Sequence, residues 1–284
     1  RSPAGVYYTD YVKTPFLTEG AAGVTTIYLD GQLGSDSNPG TSALPKKSLV
    51  AASFGRVGSL LLKARGIFYN GITSPVQTAH DNLCVEAWGG AELIITTEGF
   101  GDASLVWTDE TAGIWSAPSS FASFNNASVY VGTDVETLQK YAVVGSLALC
   151  QSTPGSYYRQ ATPSLRHFVH TLTGESPATG HTIYASNGPA QTFQSAGREY
   201  DQRMGFYGVS FRGGDTAFRV LGDSTFGKRI DFVGCSFKHG STFGALHATG
   251  TADVITCECV AGPSDFDGFA YHSATGAVPN AFEI

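Results

Sequence analysis

The stretch 264–272 (SDFDGFAYH) gathers side chains able to do acid–base chemistry. Asp265 and Asp267 are two residues apart, so on an extended chain both carboxylates point the same way. Such a pair can hold Ca²⁺ through oxygen ligands, or supply an acid and a base for glycan cleavage. His272 adds a group that titrates near neutral pH, and Glu258 lies just upstream. These four are the catalytic candidates. A structural account competes with that reading, because Asp267 and Gly268 form a turn pair and Asp265 can cap a backbone amide. Around them stand substrate-binding candidates: His239, His247, Tyr271, Arg212 and Arg219. His247 and His272 follow their glycines at a spacing of 25, which makes them neighbours if the chain repeats. Arg203, Arg212 and Arg219 could pair bidentately with acidic sugars; solvated surface charge is the plainer alternative.

The elements that must position these groups repeat. Residues 206–211 (FYGVSF), 232–237 (FVGCSF) and 254–259 (VITCEC) are β-rich blocks spaced 26 and 22 apart, each followed by glycine. Self-similarity at such a period marks a stacked array whose single units cannot bury their apolar faces alone. With strand-type units, the simplest array is a β-solenoid. Phe211 then stacks on Phe237 and Val209 on Cys235 inside, while Ser210, Ser236 and Glu258 alternate to the outside. Cys235 and Cys257 take matching places in successive units, as reduced core thiols.

Composition narrows the class. Charged residues are 14% and glycines number 35, which suits an all-β protein with many turns and not a helical bundle. The 42% apolar content is enough for a core. A net charge of −7 without a Lys/Arg cluster excludes a nucleic-acid groove. Five cysteines form no disulfide framework, and Cys257-x-Cys259 lacks the second pair that a metal site needs. No stretch is apolar enough for membrane insertion, and residues 1–10 lack the hydrophobic run of a signal peptide. Asp30, Asp36 and Asn38 offer a loose Ca²⁺ loop, with an Asx-stabilised turn as the simpler account. Ca²⁺ is the one cofactor these carboxylates would admit; no other cofactor or metal is expected.

A strand over 25–30 ending in YLDG, then GSDSNPGTS, a proline, a short helix at 48–54 and LLLKARGIFYNG make up the entry segment. This segment resembles the N-terminal entry of right-handed parallel β-helix proteins. These are the pectate-lyase-like proteins, which include many phage tailspikes and secreted polysaccharide-active enzymes. DGFAYH at 267–272 resembles the DGF-x-YH segment of prophage and tailspike-type members. The resemblance implies an all-β fold, a right-handed parallel β-helix (solenoid) with an N-terminal cap helix and a small β insertion. Its parts would be an arm or linker over 1–24, the cap and first rungs over 25–106, an irregular β insertion over 107–186, and regular rungs over 187–284. Further rungs are expected after residue 284. Within the insertion, strands are expected at 128–132, 141–149 and 167–170.

The same resemblance implies a tailspike-like virion protein that binds, and in some members depolymerises, bacterial surface polysaccharide. Its partners would be that polysaccharide, two further copies in a homotrimer, and other tail proteins met through the N-terminal arm. Its place would be the virion. A secreted polysaccharide lyase or glycoside hydrolase of the same fold is the alternative, and a non-catalytic structural or adhesive β-helix a third. Exposed Trp88, Trp107, Trp115, Tyr157 or Tyr158 would suit sugar stacking.

Overall fold

The structure is a computed structural model. It describes residues 13–53, 58–69, 80–96, 106–118, 128–132, 139–164, 166–176, 182–186, 192–194, 203–213, 216–221, 229–238, 244–249, 253–262, 268–272 and 280–283. The protein is mostly β, with curled parallel sheets and few helices.

The chain returns repeatedly to three parallel ladders. The first comprises Val24–Asp30, Gly58–Tyr69 through its first half, His80–Ala87, Arg203–Tyr207, Arg229–Val233, Asp253–Cys257 and Asn280–Glu283. The second takes the latter half of Gly58–Tyr69, then Leu93–Thr96, Val209–Arg212, Ser236–Lys238 and Val260–Ala261. The third joins Thr192–Gln194, Thr216–Leu221, Gly244–Thr249 and Phe269–His272. From residue 203 onward the chain visits them in the same order, first, second, third, then first again. Parallel pairing at this period puts equivalent side chains about 4.8 Å apart in columns.

Those columns fill the core. Phe206 stacks on Phe232 at 5.4 Å between ring centroids, and Phe211 on Phe237 at 5.5 Å. Phe218, from the third ladder, meets Phe206, Phe211 and Phe232 edge-on. Edge-to-face and offset contacts suit the ring quadrupoles and add to the area that the rings bury.

The register corrects one sequence expectation. Phe206 lies opposite Phe232, but Phe232 lies opposite Thr256, so the second spacing is 24 and not 22. Cys235 therefore matches Cys259, while Cys257 matches Val233. Aligning the cysteines by identity moves the third block by two residues. A shift of two keeps every side chain on its face, so the hydrophobic pattern alone cannot detect it.

The short helix expected at 48–54 is Leu49–Ser53. The carboxylate of Asp36 accepts from the Lys47 and Ser48 amides and from Ser48 Oγ, and Ser48 Oγ accepts from the Ala51 amide. Leu49 and Ala52 then reach the core beside Ile27 and Leu29. Residues 40–46 pair along the free edge of the first strand, through Tyr28 N–H to Gly40 O and Asp30 N–H to Lys46 O. That covers an edge open to pairing with another chain.

Between the early and late rungs lies a seven-stranded sheet drawn from Thr108–Asp109 to Thr182–Ser186, mainly antiparallel. The strand expected over 141–149 ends early, at Val143, and Leu147–Ser152 is helical. Ser146 caps that helix, its side chain accepting from the Leu149 amide, and the Leu-Ala-Leu run favours it.

Residues 13–23 lie across the outer side of the first ladder. Phe16 and Leu17 pack with outward-facing Leu61, Cys84, Tyr207, Val233 and Cys257. Lys13 forms an ion pair with Glu258, and Glu19 accepts from Lys63 Nζ at 2.9 Å and Tyr28 Oη at 2.7 Å.

Candidate functional site

Corners between the first and second ladders stack into a column of equivalent positions. Asp30 lies opposite Arg65; because Gly66 lies opposite Leu93, and Leu93 opposite Val209, the column continues through Glu92 and Gly208. Ser210 opposite Ser236, and Ser236 opposite Val260, extend it to Gly234 and Glu258. Three charges of alternating sign therefore sit on successive rungs, followed by two glycines and a second glutamate.

The charged head of this column borders a groove of about 400 Å³ lined by Asp30, Arg65, Glu92, Leu33, Ile67 and Ile94, among others. Asp30 is nearly buried and fully engaged. Its Oδ1 accepts from the amides of Gln32 and Leu33 at 3.0 and 2.8 Å, and its Oδ2 from Arg65 Nε at 2.8 Å. Burial works to raise the Asp30 pKa, but the two amides and the Arg65 guanidinium outweigh it and hold the carboxyl below its usual value. Asp30 is thus an ionised anchor and not a proton donor. Arg65 lies over the Trp88 ring, 4.4 Å from its centroid, and the indole N–H is tied to Leu29 O at 3.1 Å. Trp88 therefore positions the guanidinium; that face of the ring is taken and cannot stack a sugar.

Glu92 reaches outward, its side chain 57% exposed, with Oε1 accepting from Arg212 Nη2 at 3.2 Å. Arg212, expected to face substrate, is fully buried and also donates through Nε to Ser210 Oγ at 3.0 Å. A guanidinium withdrawn from water needs such partners, so Arg212 acts here by holding Glu92. Arg203 is likewise committed, with Nε and Nη2 on Asp231 Oδ2 at 2.8 and 2.6 Å.

The other expected residues disperse. Glu258 sits at the corner with φ 52°, not on a strand face, and is exposed. Tyr271 lies opposite Ala248 and packs against the core, because the small alanine leaves it room inside. Arg219 is in register with His247, and His247 with Ala270; His272 is opposite Thr249. The two histidines thus lie on adjacent strands but two positions out of step, the true offset being 23 and not 25. Asp265, Asp267 and His239 lie outside the described residues. Of the proposed Ca²⁺ loop, Asp30 and Asp36 accept backbone amides and Asn38 Nδ2 donates to Pro45 O at 2.9 Å, as an Asx-stabilised turn requires.

Among the aromatics considered for stacking, Tyr157 is buried and bonded to His167, and Tyr158 stacks on Phe168. Burial pushes His167 down to about 4, so it is neutral at physiological pH. Among the described residues no cluster of His, Cys, Asp or Glu could hold a metal ion, and no helix is long and apolar enough to cross a membrane.

The Asp30–Arg65–Glu92 group escaped the sequence reading. The available signal was positional: each residue directly precedes the corner of one of the first three rungs.

No protein-family model matches the chain, and no curated protein does. Among solved structures it is similar to XylC, determined in complex with xylose, with a TM-score of 0.52 and 9% identity. The match covers 83% of this chain and 58% of the XylC chain, so this chain spans less than two thirds of that protein. At this identity the likeness is one of fold.

Proposed function

We propose that this chain is a right-handed parallel β-helix protein that binds polysaccharide along its outer surface, as a tailspike-type protein does on a bacterial surface. The observation that carries the reading is the groove at the first three corners. It has an apolar floor, a guanidinium fixed by Trp88 and Asp30, and an outward carboxylate. Ligand sites combine an apolar surface with a few fixed polar groups in this way. The likeness in fold to a protein solved with xylose is in keeping with it. A virion location, a homotrimer and attachment through the N-terminal arm belong to the same proposal, as does cleavage by groups near Asp265, Asp267 and His272. A stacked β rod suits a long repetitive polymer, since successive rungs present equivalent positions at a regular interval.

The test is incubation of the protein with purified surface polysaccharides from candidate host bacteria. Binding is measured directly, and cleavage by new reducing ends or by the absorbance of lyase-generated double bonds. Binding is the expected result. Failure to bind any of them would sink the reading, and binding without cleavage would remove the enzymatic part alone.

A further inference from the structure

We propose that the groove at the head of the corner column is a subsite for one uncharged sugar ring, recognised through Glu92 and Arg65, and that the polymer continues along the corner left bare by Gly208 and Gly234. This rests on the polysaccharide-binding reading and adds to it the place and charge class of the sugar.

The hydrogen-bonding inventory carries the argument. Asp30 offers a ligand little, because it is nearly buried and already accepts three bonds within the protein. Arg65 spends Nε on Asp30, and among the described residues its two terminal nitrogens carry no hydrogen bond. Its plane is fixed by Trp88, so those donors are presented without the entropy cost of ordering a free side chain. Glu92 gives one oxygen to Arg212, and its exposed side chain leaves the other to accept from hydroxyls. Fixed donors and an acceptor at neighbouring positions of the column, beside Ile67 and Ile94, match a ring that has hydroxyls at its rim and C–H groups on its face. Leu33, 82% exposed at the edge, extends the apolar surface.

Charge decides the class. Asp30 is neutralised by Arg65, and Glu92 is paired with Arg212. The four groups sum to no net charge, so none is left over to offset the desolvation of a uronate, whereas hydroxyls can use both the Arg65 donors and the open Glu92 oxygen. The formal net charge of −7 adds repulsion at longer range. Arg203 and Arg212 are committed to the protein's own carboxylates, and the charge of Arg65, whose terminal nitrogens face the ligand, is offset by Asp30 at 2.8 Å.

Past Glu92 the column has no side chain for two rungs. Gly208 and Gly234 hold φ of 67° and 59°, and a Cβ on Gly234 would meet nothing within 4 Å. The corner therefore stays open over three rung steps, about 14 Å, before Glu258.

Ligand-observed NMR and calorimetry with methyl β-glucoside and methyl β-xyloside as neutral probes and the methyl glycoside of galacturonic acid, its carboxylate free, as the acidic one, alongside the host polysaccharides, test this. Neutral glycosides should bind and the uronate should not. Glu92→Gln keeps an acceptor for Arg212 and should weaken neutral binding about tenfold, by exchanging a charge-assisted bond for a neutral one. Leu33→Ala alters an exposed side chain and should weaken it two- to threefold, roughly the loss for a partly covered apolar contact. Gly234→Asn suits the left-handed backbone; it should weaken polysaccharide binding while leaving glycoside binding unchanged. Circular dichroism verifies that each variant folds. Equal or tighter binding of the uronate overturns the proposal, as does wild-type affinity in both Glu92→Gln and Leu33→Ala, or failure of both neutral glycosides to bind. If polysaccharide binds the wild type and all three variants alike, the groove assignment falls and the general reading stands; if nothing binds, both fall.

Discussion

On the first ladder the outward positions include Leu61, Cys84, Tyr207, Val233 and Cys257; on the second they include Ile67, Ile94, Ser210, Ser236 and Val260. Both faces flank the same corner, yet they are finished differently. The first is apolar and overlaid by the chain's own residues 13–23, with Phe16 and Leu17 as anchors. The second bears a serine pair bonded at 2.8 Å, an exposed Val260 and, at its upper end, the open groove. An outward face of a parallel sheet can thus be sealed by the protein or left available for a ligand. The sequence of the face itself says which, since five buried apolar positions would be an aggregation hazard if bare.

The largest effect should come from stripping the seal. Phe16→Ala with Leu17→Ala removes two half-buried side chains and should cost about 3–4 kcal/mol. Cys84, whose thiol burial pushes up to about 12, should then react with thiol reagents in the native protein. A double variant with unchanged melting and an inert Cys84 would show that the arm does not seal the face.

Asp231→Asn is next, at about 2–3 kcal/mol. It removes a buried carboxylate held by Arg203 and Arg229, although both arginines still reach water. Chemical denaturation measures it, and the groove's ligand affinity should not change.

Gly205→Ala should cost about 1–2 kcal/mol by overpacking. A Cβ there would stand 2.7 Å from Tyr207 Cε2 and 2.9 Å from Phe16 Cε1, so the arm must lift. Faster hydrogen exchange over 13–19 is the expected signature.

A pH titration sharpens the second face. Asp30 has a lowered folded pKa, so its contribution is complete above the ordinary carboxylate pKa of about 4 and is lost as pH falls through the folded value. Asp30→Asn should flatten the acid limb of the stability curve; an unaltered limb would mean that the Arg65 clamp contributes little.

The smallest effect, and of opposite sign, is expected from Glu258→Gly. Relief of a non-glycine residue at φ 52° should stabilise by roughly 1 kcal/mol, set against the lost pairing with Lys13. A thermal melt gives the sign.

Much of the parallel β fold was legible because its signal is local. The strand blocks at 206 and 232, the core columns Phe211 over Phe237, and the entry helix all follow from pattern and turn chemistry. The two-residue slip at Thr256 was not legible, since parity is blind to it. Nor was the groove: Asp30, Arg65 and Glu92 are far apart in sequence, and only stacking brings them together. Arg212 looked like a surface cation because its partner Glu92 lies 120 residues away. Phe16 and Leu17 carry no periodicity, so nothing local distinguishes a seal from a tether.

The overlay on the first ladder also sets an order of events during synthesis. Lys13 is made 245 residues before its partner Glu258, and the seat beneath Phe16 and Leu17 uses strands spread from Leu61 to Cys257. Those two side chains must wait in water while the rungs accumulate, and the closure entropy of that long loop falls due at the end. Docking of the arm is therefore a final, late-forming step. Contacts that form after the folding barrier mainly slow escape from the native state. Residues 13–23 would thus govern how long the folded protein lasts more than how quickly it is built.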